Sequence, residues 1–307
     1  MNQSAPLVSI VLATYNGARF LREQVDSLLV QTYQPIEIIA VDDCSSDETV
    51  SILNEYASKN ANFKIETNRQ NLGPTKTIER GILLSKGKFI TLCDQDDVWD
   101  ANKIKYTLNE MKDGVTLSYC DSLFIDEAGK SLNRKISDLK HLRSYNSAMP
   151  FLIGNCVAGH AAIFEKEFVM KVIPFPEHII HDWWLAYVAT LHGQLAYVDQ
   201  PLVQYRQHGN NVIGAIKVKG RARKKEADQK QITRNRIRFF LEKCPESNEE
   251  VKNVLANLQK SYSSFSLVNN FSRMFTFFKH QKGLLALKKR SLIRKWMFCI
   301  KMFFKII

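Results

Sequence analysis

Several absences narrow the field before any motif is read. No segment reaches the roughly 18 uninterrupted apolar residues expected of a membrane-spanning helix. The first residues, Met1 to Gly17, lack the basic start and long apolar run of a secretory signal. The chain is therefore expected in the cytoplasm or on the cytoplasmic face of a membrane. Cys44, Cys93, Cys120, Cys156, Cys244 and Cys299 show neither the paired spacing of a zinc site nor a short disulfide framework. Buried thiols in a reducing compartment are the expectation. Internal repeats and low-complexity tracts are also missing, which sets aside solenoids and long linkers.

What is present is ordinary globular material. The 307 residues are 45% hydrophobic and 24% charged, enough for one large domain with an appendage or two modest domains. The net charge of +12 is uneven: residues 1–211 carry about −5 and residues 212–307 about +17. That asymmetry marks 212–307 as a basic module, which can face phosphate backbones or anionic lipid.

From residue 7 to 120, short β-rich runs alternate with amphipathic stretches. Strands are predicted at 7–13, 36–41, 63–66, 88–93 and 115–120, with helices near 18–31, 47–59, 75–86 and 101–112. Such alternation implies βαβ units and a mainly parallel, doubly wound, Rossmann-like sheet. Gly73-Pro74 announces the third helix, and Ser45 with Glu48 has capping-box spacing before the second. Farther on, a hairpin is expected around Asp126 to Lys130, an apolar segment at 151–164, a helix near 182–192 and a strand near 195–199. From 217 onward the pattern is helical and basic.

The chemistry-bearing signal is Asp94-Gln95-Asp96-Asp97-Val98-Trp99, at the end of a predicted central strand, where doubly wound sheets bind ligands. Three carboxylates within four residues repel one another, and Mg²⁺ or Mn²⁺ would offset that repulsion while holding phosphate oxygens. A solvated acidic turn is the plainer alternative. Two other strand ends should reach the same rim: Thr14-Tyr15-Asn16, with an aromatic face and hydrogen-bonding groups, and Asp42-Asp43. Together these describe a nucleotide-diphosphate pocket.

VSIVLATYNG, VDDCSSDET, NLGPTKTIERGILLSKGKFI and DQDDVW, in that order and spacing, resemble family-two glycosyltransferases of the GT-A fold over about residues 6–211. The last segment is similar to the bacterial branch of rhamnosyl- or polysaccharide-chain transferases. The resemblance implies an inverting transfer of one sugar from a UDP-, dTDP- or GDP-linked donor to a saccharide acceptor. It implies that Tyr15 stacks on the base, Asp43 accepts its ring NH, and Asp94 touches the ribose side. Asp96 would ligate the metal with Asp97 nearby, and Arg69 and Lys76 would approach the diphosphate. Asp182, in His181-Asp182-Trp183-Trp184, matches the family's general base, with His181 in reserve. Asp182 could instead cap its helix. In the polar run from Gln204 to Asn211, His208 is a candidate metal ligand and Arg206 a candidate for offsetting leaving-group charge. The Gln-x-x-Arg-Trp pattern of processive synthases is absent, which favours single additions.

Arg290, Arg294, Lys301 and Lys305 fall on one helical stripe, with Trp296, Phe298, Ile300, Met302, Phe303 and Phe304 around it. Leu267, Phe271, Met274 and Phe278 repeat helical spacing upstream. An interfacial helix over 283–307 on anionic lipid is expected, consistent with a polyprenyl-diphosphate-linked acceptor. A helical hairpin packed on the catalytic domain or on a second subunit is the alternative, and nothing points to nucleic acid. Two other functions remain open at this point: a metal-dependent nucleotidyltransferase, for which the glycine-rich phosphate loop is missing, and a non-catalytic scaffold.

Overall fold

The computed structural model describes residues 5–209 and 226–306. The boundary expected at 211/212 and the helix start expected near 217 lie outside the described residues.

The parallel half comes first. Strands β1 (Val8–Thr14), β2 (Ile36–Asp42), β3 (Phe63–Thr67) and β4 (Phe89–Asp94) pair in parallel in the order β3-β2-β1-β4. β2 is buried at every position, as expected of a parallel strand covered on both faces. Helices α1 (Ala18–Leu29), α2 (Thr49–Lys59) and α3 (Pro74–Leu84) make the crossovers. Gly73 precedes α3 at φ 81°, a left-handed conformation that glycine adopts without strain. The capping box expected from Ser45 and Glu48 does not form. Ser45 is drawn to Asp42, and Asp47 takes the amide and hydroxyl of Thr49 instead.

Beyond β4 the sheet becomes mixed, so it is mainly parallel only in its first half. β5 (Val98–Trp99), β6 (Val115–Ile125), β7 (Ser131–Lys135), β8 (Ala162–Glu165) and β9 (Gln194–Arg206) extend it in the order β4-β8-β6-β9-β5, with β7 on β6. β8 runs antiparallel to both neighbours, whereas β6 and β9 are parallel. β6 and β7 are the expected hairpin, turning through Asp126–Lys130. β9 is far longer than the stretch expected at 195–199, because register shifts carry its pairing with β6 as far as Arg206.

Helices α4 (Lys103–Asn109), α5 (Ile136–Leu139), α6 (Lys166–Met170) and α7 (His181–His192) cover this second half. The apolar stretch at 151–164 folds as a tight turn at Met149–Leu152, another at Gly159–Ala161, and then β8. Among the described residues, five more helices follow: α8 (Glu226–Lys243), α9 (Glu249–Ser261), α10 (Leu267–Lys279), α11 (Gln281–Leu284) and α12 (Leu292–Lys301). Their apolar faces share one hydrophobic cluster with α7 and the sheet. Phe240 of α8 stacks on Tyr187 of α7 with ring centroids 4.0 Å apart, and accepts the Tyr187 hydroxyl at its carbonyl. Leu284, Leu285, Leu287, Phe298, Cys299 and Met302 are buried in the same cluster. α12 covers only part of the span expected at 283–307. Among the described residues, no helix is long and apolar enough to cross a membrane.

Candidate active site

Register alone assembles the rim. Thr14 pairs with Asp42, Ala13 with Asp94, and Asp42 with Thr67, so the carboxyl ends of β1, β2, β3 and β4 finish at one level. Most of the polar groups expected to meet a nucleotide are committed to shaping its walls. Thr14, 2% exposed, donates its hydroxyl to Asp42, which also accepts the Ser45 amide and hydroxyl. Asn16 sits at φ 46°, donating its amide to Ser45 and accepting from the Ser46 amide. Asp43 is buried and accepts from Asn68 Nδ2 at 2.7 Å and from the Leu72 and Gly73 amides at 2.8 Å. Its contacts therefore make it the anchor of loop 68–73, and a base NH would have to share its oxygens.

The Tyr15 ring is 48% exposed at the rim, consistent with a stacking platform. Gln95 fixes it there, accepting the Tyr15 amide at 2.8 Å and donating to the Tyr15 carbonyl at 3.0 Å. Arg69 is exposed on loop 68–73. Lys76, expected near a diphosphate, is instead ion-paired with Glu79 at 2.7 Å, one turn along α3.

The three aspartates of the acidic loop sit in different settings. Asp94 is half exposed, Asp96 is 13% exposed and Asp97 is fully buried. His208 Nε2 lies 2.7 Å from Asp96 Oδ2, so the sequence-expected metal pair is brought together. His160, which the sequence reading passed over, completes a second group. Its Nδ1 lies 3.3 Å from Asp94 Oδ2 and 3.2 Å from Asp97 Oδ2, and its Nε2 lies 3.0 Å from the Ser122 hydroxyl.

Arg206 is only 1% exposed. It donates to the carbonyls of Asp96, Asp126 and Glu127, pairs with Glu23 at 2.5 Å, and lies over the Phe20 ring. These contacts hold the acidic loop from within the fold, a different task from the leaving-group role expected of it.

The electrostatics follow from those settings. Burial pushes Asp97 well above the usual carboxylate range, and the neighbouring Asp96 and Asp94 charges push it further. The protein packed around Asp94 works in the same direction although its carboxyl is half exposed, but the His160 hydrogen bond and charge, helped by His181, outweigh this and hold Asp94 below that range. Burial would depress His160, yet Asp97 and Asp94 lift it. Asp97 Oδ2 is buried without a hydrogen bond of good geometry. Ligand atoms of Asp94, Asp97 and His160 all lie within 4.8 Å of one another. An unsatisfied buried carboxylate oxygen beside a second carboxylate and an imidazole fits a divalent cation.

Asp182 lies in the first turn of α7, which begins at His181 with Ile180 at its N-cap. The Trp183 amide lowers its carboxyl pKa through a backbone hydrogen bond, so a helix-end role and a catalytic one are compatible. Gly159 explains how α7 approaches the acidic loop. A Cβ there would come within 2.9 Å of His181 Nε2 and 3.7 Å of Asp182 Cβ. The next residue, His160, touches the aspartates, so one short turn abuts both groups. Burial raises the Asp182 carboxyl above its ordinary range, against the pull of His181 and Lys140, and the charge on Asp94 raises it further.

A family model described as glycosyl transferase family 2 matches residues 9–173, a span that contains both the rim and the acidic loop. The chain belongs to this family. An uncharacterized glycosyltransferase of Haemophilus influenzae is 26% identical over 98% of this chain and all of its own length. One from Rickettsia prowazekii is 30% identical, the match covering 67% of this chain and 66% of that relative. Among solved structures, S. aureus TarS 1–349 in complex with UDP-GlcNAc aligns with a TM-score of 0.61 at 18% identity, over 96% of this chain and 80% of that one. Mannosyltransferase PcManGT from Pyrobaculum calidifontis, in complex with GDP-Man and Mn²⁺, gives 0.54 at 14% identity, over 98% and 86%. At these identities the likeness is one of fold, and that fold is GT-A. Membership in this family sets the nucleotidyltransferase alternative aside.

Proposed function

We propose that this glycosyltransferase moves a single sugar from a nucleotide-diphosphate donor to a saccharide acceptor, with inversion at the anomeric carbon. The observation that carries this reading is the placement of Asp182 beside Gly159–His160, where a carboxyl of raised basicity faces the acidic loop. Asp182 takes the proton of the attacking acceptor hydroxyl as its oxygen bonds to the anomeric carbon and the nucleoside diphosphate leaves from the opposite face. Tyr15 supports the base, while Asp43 and Asn68 set the wall beside it. Asp96 and His208, or Asp94, Asp97 and His160, are the residues that would hold Mg²⁺ or Mn²⁺, which would offset charge on the leaving diphosphate. The donor and metal complexes of TarS and PcManGT support the choice of a nucleotide sugar and a divalent cation. A lipid-linked saccharide of a cell-surface polysaccharide, met at the cytoplasmic face, is the proposed acceptor, and the basic C-terminal helices support that placement.

A screen of UDP-, dTDP- and GDP-sugars for hydrolysis, with and without EDTA, tests the reading. Asp96→Ala should abolish metal-dependent donor binding while leaving the melting temperature nearly unchanged, because it removes a ligand at the rim rather than core volume. Undiminished turnover in EDTA would contradict the metal assignment, and the absence of any donor hydrolysis would favour a scaffold.

A further inference from the structure

A cavity of about 300 Å³ with mixed polar and apolar walls lies where the catalytic half meets the C-terminal helices. Lys140, Lys288, Lys289 and Arg290 line it together with apolar surface from Pro150 and Leu287, and no carboxylate is among its walls. The backbone forces the cations together. Lys140 and Lys288 face each other across an isolated antiparallel bridge, and the His141 amide donates to the Leu287 carbonyl at 3.1 Å. The sequence offers no acid from the C-terminal side, since it contains no Asp or Glu after Glu250. Burial, then the like charges of Arg290, Lys140 and Lys301, pull Lys288 below the ordinary lysine range. His141 is depressed by burial and by Lys289, Lys295 and Arg143. Lys288 is half-buried while Lys140, Lys289 and Arg290 are exposed around it, and with no carboxylate in the lining a bound anion would relieve their mutual repulsion.

The cavity shares no residue with the acidic loop, where the donor diphosphate belongs. It adjoins the Asp182 side through Lys140, whose ammonium donates to the Asn155 carbonyl at 2.7 Å, in the segment leading to the Gly159 turn that abuts Asp182. We propose that this cavity binds a phosphate or diphosphate group carried by the acceptor, fixing that substrate on the Asp182 side of the site. The proposal rests on the glycosyl-transfer reading and deepens it by giving the acceptor an anionic handle.

Isothermal titration of the metal-free full-length protein tests it. The probes are inorganic pyrophosphate, a short-chain prenyl diphosphate below its micelle concentration, and glycerol phosphate as the mimic of an anionic phospholipid headgroup. Saturable binding of both diphosphates is expected, stronger than that of glycerol phosphate. It should weaken roughly tenfold for each cation lost in Lys288→Gln and Lys288→Gln/Arg290→Gln. A Lys59→Gln/Lys112→Gln control, which removes the same charge elsewhere, should bind as the parent does. Absence of saturable binding, or equal weakening in the control, would overturn the site. Preference for glycerol phosphate would reassign it to lipid headgroups and overturn the acceptor assignment. Binding needs no turnover, so failure of this proposal and failure of the transfer reading are read separately.

Discussion

Asp94 and Asp182 carry the same carboxyl group in opposite settings, and the difference supports the roles proposed for them. Asp94 is held below the usual range because His160 outweighs the effect of the protein packed around it; Asp182 is raised by burial, with Asp94 adding to the effect. Environments that push two carboxyls apart separate a permanently ionised ligand from a working base. A base acts when deprotonated, so transfer should fall as pH drops through the raised Asp182 value. The acid limb of kcat/KM should therefore lie above the ordinary carboxylate value of about 4. His181→Gln removes a charge that lowers Asp182 and should move that limb to still higher pH. A limb unmoved in this variant would place the titrating group elsewhere. Asp182 was singled out in the sequence because His181-Asp182-Trp183-Trp184, at a helix start, matches the place of the family's base. His160 and Gln95 were not, since their partners are 66 residues away for Asp94 and 80 for Tyr15. Only the sheet register brings such pairs together.

Among the elements, α10 and α12 show what periodicity could and could not reveal. Sequence spacing found both helices, but α12 has apolar side chains around much of its circumference, so its inner face could not be told from its outer one. Packing separates them: Phe298, Cys299 and Met302 are buried, whereas Ile293 is 74% exposed and Trp296 and Met297 lie open as well. On α10, Val268, Phe271 and Phe275 are likewise exposed. α10 meets α12 through Phe278 against Trp296 at 6.2 Å and the segment after α12 through Phe271 against Phe303 at 4.9 Å, so the exposed apolar side chains lie on adjoining elements, an apolar ridge. Lys and Arg without any Asp or Glu surround it in sequence, the composition of an interfacial surface on anionic lipid. The protein should pellet with anionic vesicles and release only partly as salt rises. The charge contribution is about 1 kcal/mol for each Lys or Arg near the surface, and salt screens it. A Phe275→Ser/Ile293→Ser/Trp296→Ser variant should lose vesicle binding with little change in melting temperature, because these side chains are exposed. Pelleting equal to the parent's would dismiss the ridge. Substitution is the proper test here, since cutting the chain at Lys282 would strip Leu284, Leu287 and Met302 from the core.

For the whole molecule, the alternating strands and helices of residues 7–120 were legible because each βαβ unit declares itself locally. The second half was less so: β8 and β9 owe their pairing to β6 rather than to their own short patterns. The packing of the C-terminal helices onto the catalytic half stood in the sequence only as the alternative to a lipid-facing helix, because charge counts see the basic surface and miss the apolar face beneath it. That packing sets α7 firmly, and with it the position of Asp182 against Gly159. The claim that Asp182 is the base is tested most directly by Asp182→Asn, with sugar transfer and donor binding measured on the same preparation. Donor and metal affinity should be retained while transfer falls by roughly two to four orders of magnitude, the usual scale for loss of a general base. Near-normal transfer by the Asn variant would contradict the account.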